Sequence, residues 1–327
     1  MKKALRVLVL ILLVISSLVV VSCTSNLEDG TSDVLEEEID INDEQAVNVE
    51  PELVDGIESE EEATNNMNDN NNETQGTIEK TEDVRPVALM YHHLDPAEDG
   101  SNMSVIGLEE FTMQMAYLAE NNYTAMTVTE WMTAKAVPEK TVIITIDDGY
   151  ESVYTYMLPI LVEYDIKASI YPIVASTPGE KNTPGIPHLT WEQMQHMVDT
   201  GLIEIGSHTY DLHFHIDGPV GRGSALVTKK WLSELERYET DAEFRDRVRE
   251  DLALSKELLE ENLGIEVTSF AYPYGRWTDE VEEIGKEVGF KYFLTLDPQV
   301  QNEDQMTRVN VPPGLTLEEF VQLLDQD

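Results

Sequence analysis

From about residue 84 onward the sequence alternates short apolar runs with longer helical stretches, and this alternation constrains the fold more than any other feature. The runs VALMYH, TVIITID, ASIYPIV, LIEIGSH, VTSFAYP, FKYFLTL and TRVNV read as strands. The stretches 108–120, 151–164, 191–199, roughly 231–262, 278–288 and 316–324 read as helices. In the longest, Phe244, Val248, Leu252 and Leu259 fall on one stripe of 3.6-residue period, which marks a buried face. Strands that alternate with helices imply a parallel sheet with helical crossovers. About seven strands in a segment of this size favour an α/β fold closed into a distorted (β/α) barrel, with a functional site at the C-terminal strand ends.

The segment before residue 84 has another character. Met1–Lys3 and Arg6 supply a positive start, an apolar run follows, and the run ends in VVSC at Cys23, the one cysteine of the chain. Residues 1–22 are expected to be a secretion signal of the lipoprotein kind, with Cys23 lipidated. An uncleaved anchor helix is the other reading of the same run, and both place the remainder outside the membrane. Residues 23–83 are expected to form a disordered acidic linker, since residues 24–83 hold 21 acidic residues against the single Lys80 and have little apolar surface to bury. Residues 84–327 then form the folded domain. A formal net charge of −43 argues against nucleic acid or anionic lipid as partners and suits a neutral substrate or a product that becomes cationic. A monomer is expected.

In a parallel sheet the polar residues at the strand ends converge on one rim. Asp147 and Asp148 end TVIITIDD, His208, His213 and His215 follow LIEIGSH, Tyr272–Gly275 follow VTSFA, and His92 and His93 follow VALMY. Carboxylates and imidazoles on one rim are what a divalent metal site needs. One Asp oxygen and two neutral His nitrogens leave positions open for water and substrate, a catalytic arrangement. An aspartate pair before a helix also suits N-terminal capping, although capping needs only one of the two. Tyr210 and Trp277, with Trp191 and Phe214, are the aromatic candidates to stack on a ligand's ring.

The order TIDDG, SHTYDLH, FAYPYG resembles the three core motifs of the polysaccharide deacetylases, carbohydrate esterases of the NodB-homology kind. The resemblance covers the chain from about Val84 and implies a metal-dependent hydrolase, with zinc the expected ion. By this resemblance Asp147 is the general base, Asp148, His208 and His213 hold the metal, and the Tyr274 backbone N–H stabilises the oxyanion. The substrate implied is an N-acetylglucosamine polysaccharide outside the membrane, poly-β-1,6-N-acetylglucosamine first and peptidoglycan glycan strands second.

Three departures from the family pattern bear on the mechanism. His208 and His213 are five apart, wider than the usual H-x-x-x-H, and together with MYHH this is similar to the poly-N-acetylglucosamine branch. Ala271 stands where many members carry an arginine that orients the base, with Arg276 or Arg308 as replacements. No histidine follows His215, so the general acid falls to Asp147 once protonated or to His92 or His93, with His92 the named candidate. The alternative is a surface lipoprotein that binds carbohydrate without turnover.

Overall fold

The computed structural model describes residues 77–80, 85–98, 100–180, 185–300 and 303–325. These lie in the unit Asp69–Asp327. The expected signal, Cys23 and most of the expected linker lie outside the described residues. No helix among the described residues is long and apolar enough to cross a membrane.

Nine strands build the centre: β1 (Val87–Tyr91), β2 (Thr124–Met126), β3 (Thr141–Asp148), β4 (Ala168–Pro172), β5 (Ile203–Ile205), β6 (Ser269–Ala271), β7 (Tyr292–Thr295), β8 (Gln305–Thr307) and β9 (Val309–Asn310). A six-stranded parallel sheet runs β9-β1-β3-β4-β5, with β2 paired to the first residues of β3. A three-stranded parallel sheet runs β6-β7-β8. The central strands β1, β3 and β4 are buried nearly throughout because both faces are covered, as in other parallel sheets.

The closed ladder of about seven strands expected from the sequence is not formed as one sheet. The two sheets touch at Ser207, whose N–H and C=O bond Ser269 O and Ala271 N at 3.1 and 2.9 Å, and across Arg308, which separates β8 from β9 and whose N–H bonds Thr295 O at 3.0 Å. Each margin is a single residue because the chain turns away there, into the histidine loop after Ser207 and toward Asp147 at Arg308.

Among the described residues seven helices flank the sheets: α1 (Leu108–Glu120), α2 (Val128–Thr133), α3 (Leu158–Glu163), α4 (Trp191–Asp199), α5 (Asp241–Leu263), α6 (Asp279–Val288) and α7 (Leu317–Leu324). The expected helix from 151 enters α3 through a π-helical turn at Val153–Met157. The long helix begins at Asp241, ten residues later than the sequence suggests, because Thr240 and Glu243 form a reciprocal capping box. Upstream of it, Trp231–Leu232 and Arg237–Tyr238 pair as a short hairpin. Phe244, Val248, Leu252 and Leu259 are buried as their periodicity requires.

One short stretch of the expected linker takes part in the fold. Thr77–Glu79 pairs antiparallel with Ala136–Pro138, and Ile78 packs with Val137 and Trp131 in a second, smaller core cluster. The Lys80 ammonium donates to Trp131 O at 2.6 Å and lies 4.6 Å from the indole centroid. Three residues in an acidic tract are too few for a periodic signal.

Candidate active site

All four polar clusters stand at C-terminal strand ends of the parallel sheets, so they share one rim. The rim begins with the turn after β3. Neighbouring side chains on a strand point to opposite faces, yet both aspartates reach the site because Asp148 leaves the strand in the left-handed region, at φ 69°. Aspartate is among the few residues other than glycine that visit that region, at a cost of about 1–3 kcal/mol. Gly149 follows at φ 74°, and a Cβ there would lie 2.7 Å from the Pro172 Cβ, so no other residue fits.

Asp147 is buried and held at both oxygens by the Arg308 guanidinium, Nη1 to Oδ1 at 2.6 Å and Nη2 to Oδ2 at 2.8 Å. Nη1 also donates to Thr145 Oγ1 at 3.3 Å. Of the two arginines that could replace the one absent at Ala271, Arg308 therefore partners the carboxylate, while Arg276 is exposed. Burial alone would raise the Asp147 pKa, but Arg308, with His208 and His92, outweighs it and holds the group at about 2.

Asp148 turns to the two imidazoles. Its Oδ1 lies 3.6 Å from His208 Nε2 and 3.5 Å from His213 Nε2, and it is buried without a hydrogen-bond partner. The Tyr150 hydroxyl bonds the same carboxylate. Burial pushes Asp148 up to about 6, with Asp147 adding to the effect and His92 and Tyr150 opposing it. His208 is buried, and its Nδ1–H donates to Ala271 O at 2.8 Å, which leaves the Nε2 lone pair toward Asp148. Burial lowers His208 to about 3 and also lowers His213, so both rings are neutral and able to act as ligands at neutral pH.

Ligand atoms of Asp148, His208 and His213 lie within 4.8 Å of one another. A buried carboxylate oxygen with no donor, faced by two unprotonated imidazole nitrogens, fits a divalent cation. A cation held by these residues would keep Asp148 ionised.

The remaining candidates divide. His92 is close enough to influence both aspartates. His93 instead bonds Ser152 Oγ through Nδ1 at 2.7 Å and packs 5.0 Å from the Tyr150 ring, which rests on His188 at 4.8 Å. The Tyr274 ring, 38% exposed, stacks against His213 and His215 at 4.5 and 4.2 Å, and its backbone is left-handed at φ 59°. Tyr210, Trp277 and Trp191 are half-buried against the main core, whereas Phe214 is exposed. Sequence reasoning missed Tyr150, which directly follows the DDG triplet and could have been found by its place on the rim.

Residues 134–293 match a family model described as polysaccharide deacetylase. Over 256 residues the chain is 32% identical to the poly-β-1,6-N-acetyl-D-glucosamine N-deacetylase of Escherichia coli (strain K12), an alignment that covers 72% of this chain and 38% of that protein. The chain carries a domain of the polysaccharide deacetylase family. Among solved structures the deacetylase domain is similar to a de-N-acetylase from Aggregatibacter actinomycetemcomitans (TM-score 0.65, 24% identity, 73% of this chain and 99% of that one). It is also similar to IcaB from Ammonifex degensii (TM-score 0.57, 28% identity, 73% of this chain and 94% of that one). The first likeness bears on the fold. The chain spans about two-fifths of the length of the Escherichia coli relative, so the deacetylase domain corresponds to one part of that protein.

Proposed function

We propose that this chain is a metal-dependent de-N-acetylase of an N-acetylglucosamine polysaccharide, with poly-β-1,6-N-acetylglucosamine the first substrate and peptidoglycan glycan strands the second. The observation that carries this reading is the division of labour between adjacent carboxylates, Asp147 locked on Arg308 and Asp148 turned to two neutral imidazoles. The relative named for the β-1,6 polymer and the five-residue spacing of His208 and His213 support the choice of glycan.

Asp148, His208 and His213 would hold the ion, and a donor set of one oxygen and two nitrogens suits zinc. When bound, the ion supplies Lewis acidity to the acetyl carbonyl and acidifies water. Asp147 takes the proton of the attacking water through the lone pair of Oδ2 that Arg308 leaves unused, on the side where His208 Nε2 lies 3.9 Å away. The Tyr274 backbone N–H donates to the developing oxyanion. The proton that Asp147 takes up is then given to the sugar nitrogen, directly or by way of His92, as the C–N bond breaks, so the products are acetate and a glucosamine amine.

In the same reading the two sheets act together as a distorted (β/α) barrel. Residues 1–22 are removed, a lipid on Cys23 anchors the chain on the extracytoplasmic side of the cell membrane, and the acidic segment spaces the domain from it. The binding-protein alternative draws on the absent arginine at Ala271 and on the absence of a histidine after His215; the Arg308–Asp147 pair speaks against the first ground and leaves the second.

Acetate release from β-1,6-linked, β-1,4-linked and peptidoglycan substrates, with metal content measured alongside, tests the reading. Asp147→Asn should keep the metal and lose about 10²–10⁴-fold in rate, the scale of general base catalysis. Asp148→Asn should lose both. A metal-loaded wild type that releases no acetate from any of the three overturns the activity, and an equally active Asp147→Asn overturns the mechanism.

A further inference from the structure

The five-residue step from His208 to His213 needs a loop held in one shape, since both Nε2 atoms must face the same carboxylate oxygen. Thr209 enters it at φ 77°, a left-handed conformation that a β-branched residue does not adopt unaided. The N–H groups of Tyr210 and Asp211 then both point at one side chain of α5. Asp251 Oδ1 accepts from Tyr210 N at 2.9 Å and Oδ2 from Asp211 N at 2.8 Å. On the other side of the loop, Thr209 O and Tyr210 O accept from Val174 N and Ala175 N at 3.2 and 2.9 Å. One turn further along α5, Ser255 Oγ bonds Ser207 Oγ at 2.8 Å, beside His208. Residues four apart on a helix share a face, so a single face of α5 grips the chain both before and after the first histidine.

We infer that Asp251 is a positioning residue for the metal site, setting the path of residues 209–212 and with it the approach of His213 to Asp148. The inference rests on the reading of Asp148, His208 and His213 as metal ligands. A carboxylate is suited to this place because it accepts two adjacent N–H groups at once, as a phosphate does in a backbone nest. A residue with a single acceptor leaves one buried donor without a partner.

The test uses Asp251→Ala and Asp251→Asn in the full chain. Zinc affinity is measured by chelator competition well below the unfolding temperature, and the ligand geometry is read from the absorption spectrum of the cobalt-loaded protein. Asp251→Ala should weaken zinc by about 10–100-fold, the usual effect of losing a group that orients a ligand, and should alter the cobalt spectrum. Asp251→Asn, which keeps one acceptor, should lie between the two. Amide exchange in the metal-free protein supplies a readout that needs no ion: exchange at Tyr210 and Asp211 should speed up in Asp251→Ala while Leu252 and Leu259 stay protected. Wild-type zinc affinity and an unchanged cobalt spectrum in Asp251→Ala overturn the proposal, as does unchanged exchange at the two amides. If Asp251→Ala does not fold, the same measurements on Asp251→Asn decide. A wild type that binds neither zinc nor cobalt overturns the metal site instead, and the exchange comparison still decides whether Asp251 sets the loop.

Discussion

At the scale of single residues, the Arg308–Asp147 pair has the largest predicted consequence. Both side chains are buried, and the guanidinium fork matches the carboxylate at two points. Removing one partner from such a pair strands the other, at about 3–5 kcal/mol. Arg308→Ala should therefore lower stability by about that amount, or shift Asp147 to its protonated form and abolish activity near neutral pH. Arg308→Lys should recover part of the stability but not the two-point geometry. Thermal denaturation and acetate release check this, and an Arg308→Ala as stable and active as wild type would show that the pair is dispensable. A second residue-scale comparison separates His213 from His215. His213→Ala should lose tightly held zinc after dialysis, whereas His215→Ala, which disturbs only the stack on Tyr274, should cost about 10–100-fold in affinity at most. Most of this rim was legible in the sequence, because a parallel sheet carries every C-terminal strand end to the same side. The Arg308–Asp147 contact was legible only as one of two options, since 161 residues separate the partners and no periodicity reports a fork meeting a carboxylate.

At the scale of elements, the apolar stripe of α5 was readable, but its start was not. Thr240 and Glu243 cap the first turn, and what keeps Trp231–Tyr238, despite its good helix formers, from adding turns before them is tertiary. Arg247 Nε bonds Glu239 Oε1 at 2.7 Å, its Nη atoms bond Ala225 O and Thr228 O at 2.9 and 3.0 Å, and Glu239 Oε2 accepts from Lys230 N at 2.9 Å. Burial alone would raise the Glu239 pKa, but the hydrogen bonds from Arg247 and Lys230 outweigh it, and the carboxyl lies below its usual range. The folded pKa is depressed, so the stabilisation is fully present above the unfolded value of about 4.5 and is lost as pH falls through the folded one. Glu239→Gln should therefore be less stable than wild type by about 1–3 kcal/mol at pH 7, the scale of charged hydrogen bonds. The gap should narrow as pH drops below about 4.5. Urea midpoints of both proteins across pH 3–7 check the sign, and a gap that widens in acid refutes it. The strand Thr77–Glu79 gives an equally direct comparison. A chain beginning at Asp69 should match the full chain in thermal stability, and one beginning at Thr81 should melt lower, because it uncovers Val137 and Trp131.

At the scale of the whole molecule, 64 acidic against 21 basic residues make the protein strongly anionic. An N-acetylated glucosamine polymer is neutral and meets this field without attraction. In the proposed reaction each acetyl group removed uncovers an amine that is largely protonated at neutral pH, so the product gains charge opposite to that of the protein as the reaction proceeds. Attraction between exposed charges extends over a Debye length of about 8 Å at physiological ionic strength and shortens as salt rises. De-N-acetylated oligomers should thus bind more tightly than their acetylated precursors at low salt and inhibit turnover, with the difference fading toward 1 M salt. The acidic residues before Thr77 should add to the effect without touching the chemistry. A chain beginning at Asp69 should keep the turnover of the full chain while showing weaker product inhibition and a shallower salt dependence. Initial rates of acetate release with added glucosamine oligomers, at 20 mM and at 1 M salt, compare the two chains directly. Equal, salt-independent inhibition of both would show that the charge of the protein plays no part in holding product.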